Sequence, residues 1–127
     1  MKKVRFDTSG AIALQLKLGR ELPSEQRKPI KLEGWLVGAH ICVLKPHAVD
    51  RGWGLSLFPW GDRLTLDFFA KADAVACAKE IDALNLPWNR LRTLDANAEQ
   101  YRDYIGKVME IRADYEADGL IMPDHNI

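Results

Sequence analysis

Between Arg51 and Arg63 the chain sets Trp53, Phe58 and Trp60 among glycines, with an arginine at each end. Aromatic faces stack on any nucleobase, and arginine pairs bidentately with phosphate. Arg51, Trp53, Phe58, Trp60 and Arg63 therefore hold the ingredients of a single-stranded nucleic-acid site. The same residues also have a structural reading. If Trp53, Leu55 and Leu57 share one face of a strand, Trp53 is a core residue and only Trp60, at the tip, is left for a partner. Eighteen Lys and Arg balance eighteen Asp and Glu, so no net field draws the molecule to a polyanion and nucleic-acid binding needs a local patch.

A second candidate lies in the last third. Tyr101, Ile105, Val108 and Tyr115 recur at helical spacing, and Tyr104 and Ile111 broaden the stripe. Tyrosine offers apolar area plus a hydroxyl, which suits interfaces. The expected contact residues for a protein partner, or for a second copy in a homodimer, are Trp60, Tyr101, Tyr104, Ile111 and Tyr115. The alternative is a stripe that packs wholly within its own chain.

Other chemistry finds less support. His40, Cys42, His47, Cys77 and His125 are soft ligands, but no Cys-x-x-Cys or His-x-x-x-His spacing joins them. Neither metal nor cofactor is expected. No serine sits in a Gly-x-Ser-x-Gly turn, no glycine-rich loop is shaped for phosphate, and Asp62, Asp67, Asp73, Asp95, Glu99 and Asp103 are spread as on solvated faces. A non-enzymatic, adaptor-like domain is the first expectation. A small-molecule site or unrecognised enzyme would need a pocket between sheet and helices near His40 or His47.

The elements that must position these residues follow from periodicity. Ile12, Leu14, Leu16 and Leu18 alternate with Ala13, Gln15 and Lys17, which predicts a strand over 12–18; the rival is a short helix after Thr8 or Ser9, since Ala, Leu, Gln and Lys are good helix formers. The charged, two-proline segment 19–29 reads as a surface loop. Residues 30–44, with Trp35, Val37, Ile41 and Val43, predict a long strand, with Gly34 and Gly38 marking a bulge or bend. A strand over 53–57 and a return placing Leu64, Leu66 and Phe68 on one face make a hairpin closed by Pro59, Trp60, Gly61 and Asp62.

Ala74, Ala78, Ile81 and Leu84 predict a helix over 70–84, stopped by Asn85 and Pro87. Leu86, Trp88, Leu91 and Leu94 carry an irregular connection onto the core. Asn97 and Gln100 have capping-box spacing for a helix that ends at Gly119. Strands followed by helices give an α+β class: a four-stranded antiparallel meander followed by two helices packed on one face of the sheet. Its 127 residues suit one domain, with 1–10 and 120–127 loosely ordered. Lys2 and Lys3 precede no apolar run, no stretch reaches a membrane span, and the two cysteines read as buried free thiols. The expected setting is cytoplasmic, with no membrane partner.

Overall fold

The computed structural model describes residues 1–46, 48–94 and 98–123. It is α+β. Four antiparallel strands, β1 (Lys2–Asp7), β2 (Lys31–Val37), β3 (Ile41–Leu44) and β4 (Gly54–Leu57), lie side by side in chain order. Helices α1 (Ser9–Lys17), α2 (Lys71–Asp82), the single turn α3 (Trp88–Leu91) and α4 (Glu99–Ala117), with a 3-10 turn at Ser24–Arg27, are the helical elements among the described residues. The expected meander is present, but its strands are partly different ones.

β1 comes from the opening residues that were expected to be loosely held. Its Val4 and Phe6 are half-buried while their neighbours face solvent, and it pairs with β2 from Lys2 opposite Leu36 to Asp7 opposite Lys31. Of segment 12–18, residues 12–17 are helix, not strand, and Leu18 is the C-cap. The alternation there had no buried face to enforce it: in α1 only Ala11 is buried, so intrinsic helix propensity decides. The Asp7 carboxylate accepts the Ser9 N–H at 2.9 Å, turning the chain from β1 into α1.

The predicted long strand 30–44 is a hairpin. Gly38, at φ +71°, makes the turn between β2 and β3, and a Cβ there would stand 2.2 Å from the Asp82 carboxylate. The return after β4 is not a full strand either. Leu57 and Leu64 N–H bond to Asp62 and Leu55 carbonyls, and Trp53 and Phe68 exchange both backbone bonds, but only isolated bridges form. Between them Arg63 Nε donates to the Thr65 carbonyl at 2.8 Å, drawing the chain out of register. Phe68 is nevertheless fully buried, with Leu64 and Leu66 half-buried.

One face of the sheet, carrying Val37, Ile41, Val43, Leu55 and Leu57, meets the α2 stripe of Ala74, Cys77, Ala78 and Ile81. Alanines and a cysteine let α2 approach the strands closely. Phe68, Leu86, Trp88, Leu91 and Val108 close this core. Asn85 takes φ +51° after α2, and Gly119 φ +73° after α4, as their sequence positions imply. α4 packs along α2, with Tyr115 edge-on to Phe68 at 5.7 Å. The expected capping pair at its start involves Asn97, which lies outside the described residues; Gln100 accepts from Arg90 Nη2 at 2.9 Å. Leu120 and Met122 are tied to Phe69 and Asp67 by backbone bonds of 3.2 and 2.7 Å. Among the described residues no helix is long and apolar enough to cross a membrane.

Candidate functional site

The aromatic hairpin is divided among three clusters. Phe58 meets Phe6 edge-on at 5.2 Å, joining the hairpin to β1. Trp53 lies 5.8 Å from Trp35 of β2, tilted by 40°. Trp60, at the tip, stacks on His40 at 5.2 Å and 19°, and the Arg92 guanidinium stands 4.5 Å from the Trp60 ring centre. Of the two arginines, Arg51 is exposed, and Arg63 pairs with Asp67 at 3.0 Å. These five residues thus do not converge on one surface.

The Trp60 cluster is built from distant segments. Arg92 binds the Asp62 carboxylate through Nε and gives Nη2 to the Gly10 carbonyl at 2.9 Å. The Ala11 N–H donates to the Trp60 carbonyl at 3.0 Å. A Cβ on residue 10 would stand 3.0 Å from Trp60 Cα, so the start of α1 seats on the tip because Gly10 has no side chain. His40 Nδ1 lies 3.1 Å from the Phe58 carbonyl, and the Phe58 N–H donates to the His40 carbonyl at 2.8 Å. Trp60 is half-buried here, with its ring already between cationic and aromatic neighbours.

A second cluster combines Trp35, Trp53 and Lys71. The Lys71 ammonium stands 3.7 Å from the Trp35 ring centre and 5.5 Å from that of Trp53. Nearby, Glu33 binds Lys3 at 3.0 Å and Arg5 at 3.5 Å. The hydrogen bond from Lys3, followed by the positive charges of Lys3, Arg5 and Lys45, holds the Glu33 carboxyl below its ordinary pKa. Sequence periodicity missed Trp35 and Lys71 as a pair. The usable signal was that Lys31–Val37 alternates, placing Trp35 on the same face as Glu33 and Val37.

Along α4, Tyr101, Tyr104, Ile111 and Tyr115 are all half-buried against the core, and Val108 alone is fully covered. Tyr115 gives its hydroxyl to Glu80 at 2.5 Å; burial first, then that bond and the Glu80 charge, raises its pKa. Both cysteines are free and buried, and burial pushes each thiol up to about 12. Among the described residues no three His, Cys, Asp or Glu gather as a metal site, and His47 and His125 lie outside those residues.

No family model, curated protein or solved structure matches this chain.

Proposed function

We propose that this protein is a non-enzymatic binding domain that works by protein contact, with a second copy of itself as the partner and α4 as the contact element. The observation that carries the reading is the incomplete burial of α4. Nineteen residues long, the helix fully buries Val108 alone, while Tyr101, Tyr104, Ile105 and Ile111 remain half-exposed and Met109 is 48% exposed. Tyr101, Ile105 and Met109 succeed one another four residues apart, so they form one row along the flank. A two-fold pairing of antiparallel α4 helices about Ile105, with Tyr101 of each copy against Met109 of the other, would bury both rows with the same residues on each side, as a closed dimer requires. A cytoplasmic setting belongs to this reading and is supported by two thiols that are free and buried.

Light scattering across a dilution series tests it. The expected mass is twice the 14.4 kDa of the chain, falling to the single-chain value on dilution or in Met109→Glu with an unchanged circular dichroism spectrum. A chain that stays monomeric at high micromolar concentration sinks the proposal.

A further inference from the structure

Trp35 is the tryptophan that packing leaves over. Trp53, Trp60 and Trp88 belong to the core or pack against it, whereas Trp35 is half-buried on the sheet and touches Trp53 and Lys71. The strand register shows what surrounds it. Directly opposed residues point to one side of a sheet. Lys3 is opposite Trp35, and Trp35 is opposite Val43 and, beyond it, Leu55; these last two are fully buried in the core, so the row is open on its Trp35 and Lys3 side. In the next row Arg5 is opposite Glu33, and Lys45 gives its N–H to the Glu33 carbonyl at 2.9 Å. The open end of this face therefore carries two indole rings with Lys3, Arg5, Lys45 and Lys71 around them, against the one carboxylate of Glu33. Asp73, two residues beyond Lys71, acts on Tyr115 instead.

We infer that this face, centred on Trp35 and Trp53, is a binding platform for single-stranded nucleic acid. The charge ratio decides against a cationic ligand for the two rings and for an anionic one. Paired rings favour a ligand with planar groups of its own, and bases strung on phosphates satisfy both demands. Lys71 occupies the place of the ligand: its ammonium rests on the Trp35 ring by a cation–π contact that is weaker than a base–aromatic stack. A base taking that position releases the ammonium, which then meets the phosphate beside it. Exchange of one contact for two makes the occupied state the favoured one. Toward the Asp7–Lys31 end of the β1–β2 pair a groove of about 500 Å³ adjoins this face at Arg5 and Glu33, and its two cations, Arg5 and Lys31, are balanced by the carboxylates of Asp7 and Glu33, so the phosphate contacts come from the platform itself. Overall neutrality is no obstacle, because the term that matters is the number of phosphates met locally.

The test is a titration of tryptophan fluorescence with an oligothymidylate and, separately, with thymidine monophosphate. With three phosphates engaged, the log–log salt slope is about −2, so affinity for the oligomer falls roughly 20-fold between about 50 and 200 mM salt. Trp35→Ala weakens binding roughly 5- to 150-fold, the range for loss of one stacked base. Should that variant fail to fold, the surface pair Lys3→Ser with Arg5→Ser keeps the test: it flattens the slope to about −0.7. No quenching at low salt, an oligomer bound equally by Trp35→Ala, or a mononucleotide bound as tightly as the oligomer would each overturn the inference.

Discussion

Removing the guanidinium of Arg92 while keeping its length, as Arg92→Met, probes the junction where α1, the hairpin tip and α3 meet. Three contacts are lost together. The Asp62 carboxylate loses its partner in a pair whose side chains are 14% and 23% exposed, so the cost lies between that of a surface bridge and that of a buried one, about 2 kcal/mol. The Gly10 carbonyl loses a charged donor, about 1 kcal/mol, and Trp60 loses a cation over its face, about 0.5 kcal/mol. The total of about 3.5 kcal/mol is a large share of a typical domain's stability and lowers a urea midpoint by roughly 1.5–2 M. Asp62→Asn and the double variant close a cycle, read by urea unfolding followed by circular dichroism. The expected coupling is about 1–2 kcal/mol. Arg92→Lys restores the charge without the fork and recovers only part of the loss. A coupling under about 0.5 kcal/mol refutes the view that this pair holds the tip.

Two further measurements address the interior. Thr65 is 2% exposed and its hydroxyl meets no hydrogen-bond partner among the described residues, so Thr65→Val is expected to raise stability by about 1 kcal/mol; a clear loss would show a hidden partner. The raised thiols of Cys42 and Cys77 and the raised phenol of Tyr115 all resist deprotonation in the folded state. The stability they contribute is complete below the unfolded thiol range, about 8.5, and is lost as pH climbs toward about 12. The urea midpoint should therefore fall above about pH 9, and less steeply with both cysteines replaced by alanine. A midpoint indifferent to alkali counts against that assignment.

Where burial and local preference agreed, the fold was legible in the sequence. α2 combines a stripe of Ala74, Cys77, Ala78 and Ile81 with good helix formers and a stop at Asn85, so both levels gave one answer. α1 was misread because its alternating leucines bury little, and an alternation without a buried face carries no strand information. β1 was overlooked because Lys2, Lys3 and Arg5 mask two half-buried residues, Val4 and Phe6, and its pairing rests on a partner 24 or more residues away. The aromatic hairpin was found, but its grouping was not. Trp60 joins His40, Gly10 and Arg92, and Trp53 joins Trp35 and Lys71, through contacts that adjacency in sequence cannot express.

The seating of α1 on the hairpin tip bears on the order in which the molecule assembles during synthesis. β1 precedes β2 in the chain, so its ladder waits for β2, and the start of α1 finds its seat only once Trp60 exists. Arg92, which binds both Asp62 and Gly10, emerges later still. The seating of α1 is thus completed long after α1 itself is made. During elongation β1 stays unpaired until β2 has emerged, and the three cations of that strand keep it from pairing with other chains in the meantime.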